Sequence, residues 1–199
     1  MDKYASVKEK AEGILAQYAL SIPVAVFQFV ETLGVKLQTM NSDNLVSIIN
    51  TNDGVVTDLD KNDVLGYYDK ANNIFYLNES NQPINRMRFT VAHELGHYFL
   101  HSGTLSNQFR KITLRTDVIA PADPQEVEAN YFASYFLMPD RKILDTLHLT
   151  KMMFSGEELV QDFAEIFAVS PDAMRIRFKI FKQAYPDMWE SLDLTRKLF

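Results

Sequence analysis

The sequence of 199 residues contains no cysteine, which excludes disulfide bonds, thiolate metal sites and a cysteine nucleophile. No apolar run approaches the roughly 20 residues that a membrane-spanning helix needs, and the first residues lack the charged-then-apolar pattern of a secretion signal. The net charge is −6, whereas a nonspecific nucleic-acid binder needs concentrated Lys and Arg. We therefore expect a cytoplasmic protein with no membrane partner and a folded core.

The spacing of the apolar residues predicts an α+β fold. Short apolar or alternating runs, separated by turns rich in Asn, Asp and Gly, predict a small, mostly antiparallel sheet. Longer segments with apolar residues three and four apart predict helices before and after these strands in the chain. The predicted strands cover residues 35–37, 45–49, 64–68 and 74–77; the predicted helices cover residues 4–20, 23–34, 82–99, 124–137 and 140–148, followed by a helix–turn–helix-like pair within 156–184.

Capping residues indicate where these helices begin and end. Ser80 or Asn81 is expected to cap the helix over 82–99, with Pro83 in its first turn and Gly103 just past its end. In the C-terminal pair, the expected N-cap and first helical residue are Ser170 and Pro171.

Residues 93–97 read His-Glu-Leu-Gly-His, an HExxH motif within a predicted helix. His93 and His97 are four residues apart, so both imidazoles lie on one face and can bind one metal ion. Glu94 lies about 100° round the helix, where it can move a proton from water to a leaving amine. The helix is apolar nearly all round and is therefore predicted to be buried, and a metal would give its polar groups a partner. Gly96 would allow another backbone to approach closely.

The third ligand is expected on the helix predicted after Pro124, because zinc favours two His and one carboxylate with an open fourth position. Glu126 lies about 50° from the centre of that helix's apolar stripe, and Glu128 about 110° away on the other side. Glu126 therefore points toward the core, and Glu128 is either the alternative ligand or a solvated flank. Asn130, one turn on from Glu126, could hold a ligating His by its free ring nitrogen.

Further groups could support the chemistry. His101 lies about 12 Å along the helix from His93, so one ion cannot bind both. We expect His101 to support the site from outside or to lie at the surface. Attack of water on an amide also needs a donor that stabilises the oxyanion. The candidates, among which the sequence does not select, are Tyr98, Tyr131, Tyr135 and Arg86.

Two central motifs resemble the ImmA/IrrE-type metallopeptidases. The first is residues 88–101, Arg-Phe-Thr-Val-Ala-His-Glu-Leu-Gly-His-Tyr-Phe-Leu-His. The second is residues 126–133, Glu-Val-Glu-Ala-Asn-Tyr-Phe-Ala, followed by Leu-Met-Pro at 137–139. Weaker similarity extends the resemblance over about residues 20–180.

The resemblance implies a regulatory zinc endopeptidase of the gluzincin-like type. It implies one zinc ion per chain, bound by His93, His97 and Glu126, with Glu94 as the catalytic acid/base. The helical pattern of the tail predicts a boundary near residue 152, between a zincin-like peptidase domain over 1–152 and a helical, helix–turn–helix-like subdomain over 153–199. Known substrates of the family are helix-turn-helix repressors of phages, mobile elements or stress regulons, whose cleavage switches on transcription.

Two alternatives stay open. The first is a metal-containing binding module that sequesters a repressor or toxin without cleaving it, although such a module would not need a base at Glu94. The second gives the tail a role in DNA binding, because Arg175, Lys179 and Lys182 follow one helical face. A solvated flank gives the same pattern, so direct DNA binding is not expected.

Overall fold

A computed structural model describes residues 4–53, 64–69, 71–80, 82–101, 124–149 and 156–191. This part of the chain has an α+β fold that is mostly helical, with one three-stranded sheet. None of its helices is both long and apolar enough to cross a membrane. The elements in chain order are α1 (Ala5–Gln17), α2 (Val26–Thr32), β1 (Lys36–Met40), α3 (Ser42–Asp53), β2 (Gly66–Asp69), β3 (Ile74–Asn78), α4 (Ile84–Leu100), α5 (Pro124–Leu137), α6 (Asp140–Leu149), α7 (Glu157–Phe167), α8 (Pro171–Ala184) and α9 (Pro186–Ser191).

The chain divides into two compact units. The sheet unit is residues 25–133, and the helical unit is residues 1–24 together with 134–199. The boundary at residue 133 falls within α5. The predicted domain boundary at residue 152 lies outside the described residues and stays a prediction.

The sheet is mixed rather than mostly antiparallel. Its strand order is β1-β3-β2, with β2 and β3 antiparallel and β1 and β3 parallel. The antiparallel pair is a hairpin with a tight turn, in which Asp69 Oδ1 accepts from the Asn72 backbone N–H at 3.1 Å and Asn73 adopts a left-handed φ of 55°. The parallel pair needs a long connection, and α3 lies within it.

The strand predicted at residues 45–49 is wrong, because these residues belong to α3. Asn41 Oδ1 accepts from the Asn44 backbone N–H at 2.9 Å, which satisfies one of the free donors at the start of the helix. Leu45 and Ile49, four residues apart on one helical face, are fully buried against Tyr67 and Tyr76 of the sheet. A short apolar run fits a buried helical turn as well as a strand.

Two helix starts differ from their predictions. α2 begins at Val26 rather than Pro23. Pro83 is the N-cap of α4, with φ −59° and ψ 145°, and no side chain caps that helix. Ser80, which was predicted to cap α4, accepts instead from the Ser42 backbone N–H at 3.3 Å, at the start of α3. The alternative cap Asn81 and the expected stop at Gly103 lie outside the described residues.

In the sheet unit, α4 packs against α2 and against strands β2 and β3. Phe29 of α2 stacks on Phe99 of α4, which in turn stacks on Phe132 of α5. On the sheet side, a β carbon at Gly66 would come within 3.0 Å of the Thr90 side chain, so β2 and α4 are in close contact. The helix with the HExxH residues is thus covered on several sides, and residues 88–97 are all buried.

In the helical unit, the predicted α7–α8 pair is confirmed. Ser170 is the N-cap of α8, and its side chain accepts from the Ala173 backbone N–H at 3.1 Å; Pro171 follows as the first helical residue. The short helix α9 was not predicted, and its Trp189 is fully buried in an edge-to-face contact with Phe178.

A buried ionic cluster joins four segments of the helical unit around Asp140. The fully buried Arg177 forms an ion pair with Asp140 and donates through Nε to the Met138 carbonyl at 2.9 Å. Lys8 of α1 also pairs with Asp140, and the Tyr185 hydroxyl donates to Asp140 Oδ2 at 2.9 Å. Several partners therefore compensate for the desolvation of the carboxylate.

Candidate metal centre

Helical spacing brings the two imidazoles of the HExxH motif together. His93 and His97 are four residues apart on α4, and their Nε2 atoms are 3.0 Å apart. Both side chains are almost completely buried. Two imidazole nitrogens at this separation need a shared proton or a shared cation between them, because two lone pairs would repel each other.

Glu126 of α5 completes the group of donor atoms. Its Oε2 lies 3.2 Å from His93 Nε2, and its Oε1 lies 3.4 Å from His97 Nε2. Ligands of a tetrahedral zinc ion, each about 2.0–2.2 Å from the metal, lie roughly 3.3–3.6 Å from one another. The three observed separations are close to that range, so the donor set fits a small tetrahedral cation. Within the described residues, no other group of three such side chains lies close enough together to hold a metal.

The electrostatics of Glu126 favour its charged form. Burial by itself raises the pKa of this carboxyl group, whereas hydrogen bonds and electrostatic attraction from His93 and His97 lower it. The net effect is a pKa well below the usual value for Glu. A carboxylate that stays ionised beside two nitrogen donors is the form that binds a cation.

Gly96 allows α5 to approach α4 closely. A β carbon at this position would lie 2.9 Å from Ala129 Cα, 3.1 Å from its carbonyl oxygen and 3.2 Å from Phe132 Cβ. The first two atoms are backbone and cannot move away by rotating a side chain. The absence of a side chain at Gly96 therefore lets the helix with Glu126 lie against the helix with the His pair, as the sequence predicted.

Asn130 contacts the first imidazole on its other nitrogen. Its Oδ1 lies 3.0 Å from His93 Nδ1. An amide oxygen can only accept, so Nδ1 of His93 carries a ring N–H, and Nε2, which faces Glu126, is the nitrogen that can bind a metal. This is the position that the one-turn spacing from Glu126 predicted for Asn130.

Glu128 lies elsewhere, in a contact that the sequence analysis missed. It is outside the His93–His97–Glu126 group, and its Oε2 is 2.9 Å from His101 Nε2. His101 in turn places Nδ1 at 3.0 Å from His97 Nδ1. Glu128 is therefore more than a solvated flank. The spacing of four between His97 and His101 was a usable signal for the contact between these two rings. The contact between His101 and Glu128 depends on how two helices pack.

The remaining predicted groups are dispersed. Glu94 is buried on α4 beside the His pair. Tyr98 is half-buried and makes an edge-to-face contact with Tyr68, at a centroid distance of 6.4 Å. Tyr131 is also half-buried, and Arg86 is exposed near the start of α4. Tyr135 belongs to the helical unit, where its ring lies 4.6 Å from the Arg177 guanidinium carbon.

Comparison with known proteins places the motifs in a family. Residues 46–179 match the IrrE N-terminal-like domain family. That range covers more than half of the chain and includes all of the donor atoms described above.

Two curated relatives come from Bacillus and one of its phages. "Uncharacterized immunity region protein 2" of Bacillus phage phi105 is 34% identical over 113 residues, which are 56% of this chain and 66% of the relative. "Metallopeptidase ImmA" of Bacillus subtilis strain 168 is 32% identical over 106 residues, which are 53% of this chain and 59% of the relative. The chain thus spans less than two thirds of the length of either relative.

Among solved structures, a Mycobacterium tuberculosis transcriptional regulator is similar with a TM-score of 0.47 and 14% sequence identity. The match covers 86% of this chain and 46% of that chain. A similarity at this level does not bear on function.

Proposed function

The chain belongs to the ImmA/IrrE-type metallopeptidase family, and from this membership and its His93–His97–Glu126 cluster we propose that it is a zinc-dependent regulatory endopeptidase. The observation that carries the proposal is the cluster of one carboxylate and two imidazoles, whose facing nitrogen and oxygen atoms are separated by 3.0, 3.2 and 3.4 Å.

The donor set favours zinc. Two neutral imidazole nitrogens and one carboxylate form a ligand set that zinc peptidases use, with one position left for water or substrate. Two ligands come from α4 and the third from the later helix α5, an arrangement that supports a zincin-like, gluzincin-type site. One such cluster in the described chain corresponds to one ion per chain.

Glu94 is the proposed acid/base. When bound, zinc would lower the pKa of a water molecule and polarise the carbonyl group of the peptide bond. Glu94 follows His93 directly in α4 and is buried, so its carboxylate is held beside the ligands rather than extended into solvent. In this mechanism Glu94 takes the proton from the attacking water and delivers it to the leaving amine.

The proposed substrate is a helix-turn-helix transcriptional repressor in the cytoplasm. The name of the phage relative assigns that protein to an immunity region, and the name of the Bacillus subtilis relative assigns it a metallopeptidase activity. A peptidase that acts on a regulator connects these two properties.

Direct DNA binding by the tail is not favoured by its ion pairs. Arg175, one of the three basic residues on α8, pairs with both Glu157 and Asp172. These two carboxylates offset the positive charge of Arg175, which binding to a DNA phosphate would need. The regulatory effect is therefore proposed to go through the repressor.

The test combines metal analysis with a cleavage assay. Purified protein is expected to contain about one zinc per chain and to cleave the repressor encoded beside its gene. Glu94→Gln is expected to keep the zinc and to reduce cleavage by about 10²–10⁴-fold, the usual contribution of a positioned proton-transfer group. The matched control is Glu158→Gln, at an exposed position on α7, which should cleave normally.

Two outcomes would contradict the proposal. Protein that binds no zinc at neutral pH would remove the metal site. Regulation in the cell that survives Glu94→Gln would favour the binding module, which sequesters its partner without cleavage.

A further inference from the structure

His101 links the metal site to a carboxylate outside it. Its Nδ1 lies 3.0 Å from His97 Nδ1, and its Nε2 lies 2.9 Å from Glu128 Oε2. The side chain of His101 is only 6% exposed, whereas that of Glu128 is 42% exposed. The contacts form a continuous chain from a partly solvated carboxylate, through one imidazole, to the ring of a metal-binding residue.

Donor and acceptor rules fix the positions of the protons in this series of hydrogen bonds from Glu128 to His97. A carboxylate only accepts, so His101 donates to Glu128 through Nε2. A neutral imidazole that donates through Nε2 accepts through Nδ1, so His97 donates through its own Nδ1. Nε2 of His97, the atom that faces His93 and Glu126, is then the nitrogen that is left to bind a metal.

We propose that His101 and Glu128 are positioning residues, which hold the ring of His97 in the orientation and tautomer that bind the metal. The proposal rests on the proposed metal site and deepens it. An imidazole in water can carry its proton on either nitrogen, and its ring can rotate, so a fixed acceptor at Nδ1 removes both freedoms.

The two metal-binding imidazoles are held in different ways. His93 donates to the amide oxygen of Asn130, a neutral acceptor on α5. His97 donates to His101, one turn further along its own helix, and the anchor on α5 is the Glu128 carboxylate. Helix α5 thus contributes three side chains at a spacing of two residues, of which Glu126 is the ligand and the other two orient a ring.

Zinc affinity, measured by competition with a chelator, tests the proposal without relying on activity. His101→Phe keeps the ring volume and removes the acceptor, so we expect zinc affinity to fall by about 10–100-fold, as for other partners of metal-bound imidazoles. His101→Asn places an amide oxygen near the position of Nδ1 and should restore most of the affinity. The control His148→Gln, at an exposed position on α6, should bind zinc like the unmutated protein.

The tautomer of His97 gives a second readout in the unmutated protein. Nitrogen NMR of the metal-free chain at about pH 8, where an unperturbed imidazole is neutral, should show that Nδ1 of His97 carries a proton, whatever proton its Nε2 shares with His93. Glu128→Ala should weaken the protection of the His101 Nε2 proton from exchange. The His97 signals are assigned by their loss in His97→Gln.

The outcomes separate this inference from the proposed function. Protein that binds no zinc contradicts the proposed function, while the tautomer of His97 still tests the contact with His101. Zinc binding that is unchanged in His101→Phe overturns the positioning role alone. It is also overturned if His101→Asn binds as weakly as His101→Phe, or if Nδ1 of His97 carries no proton in the unmutated protein.

Discussion

The backbone of Ala129 lies against Gly96 so closely that a β carbon at Gly96 would be 2.9 Å from Ala129 Cα. Helices α4 and α5 therefore meet through their backbones at the point where one supplies two imidazoles and the other a carboxylate. The separation of the helices at this point sets the distance between Glu126 and the two Nε2 atoms.

Gly96→Ala is predicted to destabilise the fold and to weaken metal binding. The added methyl group meets backbone atoms, and overpacking of this kind costs about 1–3 kcal/mol. Urea unfolding measures the loss of stability, and chelator competition measures the loss of zinc affinity. The matched control is Gly13→Ala in α1, where a β carbon would meet nothing within 4 Å; it should be stabilising by about 0.4–1 kcal/mol. Equal effects of the two substitutions would contradict the close approach.

The two acidic candidates on α5 are predicted to behave differently. Glu126→Gln removes the charged ligand and should lower zinc affinity by more than the roughly 10–100-fold effect of a residue that only orients a ligand. Glu128→Gln leaves an oxygen acceptor for His101, so it should lower zinc affinity by less than about 10–100-fold. Isothermal titration of zinc into each variant gives the comparison. A larger loss for Glu128→Gln would make Glu128 the third ligand instead.

Asn130 is predicted to act through its side-chain oxygen. Asn130→Ala leaves the Nδ1 proton of His93 without its acceptor and should lower zinc affinity by about 10–100-fold. Asn130→Asp keeps an acceptor in the same place and should retain the affinity. If both variants bind zinc like the unmutated protein, the contact at 3.0 Å does not orient His93.

Asp140 is predicted to be the most sensitive carboxylate of the helical unit. Asp140→Asn leaves the fully buried Arg177 without its countercharge, and breaking a buried pair in this way costs about 3–5 kcal/mol. The control is Asp172→Asn, because this side chain is 82% exposed and its ion pair with Arg175 should contribute no more than about 1 kcal/mol. Urea unfolding at neutral pH would contradict the prediction if the two losses were equal.

The same carboxylate gives a predicted pH dependence. Burial raises the pKa of Asp140, but the charge of Arg177 and hydrogen bonds from Lys8, Arg177 and Tyr185 lower it below its usual value. Its stabilising effect is therefore fully present above the unfolded pKa of about 3.9. It is lost as the pH falls through the lower pKa of the folded state. Unfolding free energies across this window should depend less on pH in Asp140→Asn than in the unmutated chain.

Local periodicity was enough to predict much of the candidate site. The spacing of four between His93 and His97 places both rings on one face of any helix, whatever surrounds it. The angle of Glu126 from the apolar stripe of α5 gave its direction, because the apolar side of a helix faces the core. Both arguments need only the geometry of a single helix.

Features that depend on two elements were not predictable in the same way. The contact between His101 and Glu128 requires the rotation and separation of α4 relative to α5, which no single-helix pattern contains. The run from Leu45 to Ile49 has an apolar pattern compatible with helix or strand, and it became a helix because its buried face packs against Tyr67 and Tyr76. The parallel pairing of β1 and β3 likewise depends on the path of the connecting chain.

That parallel pairing has a consequence for the order of folding. The hairpin brings together Asp69 and Ile74, which are close in the chain, whereas β1 pairs Lys36 with Ile74. Closing the longer loop costs more chain entropy before any hydrogen bond forms in return. The hairpin is therefore expected to form early and to act as the template onto which β1 docks last, so that substitutions in β1 should change the unfolding rate more than the folding rate.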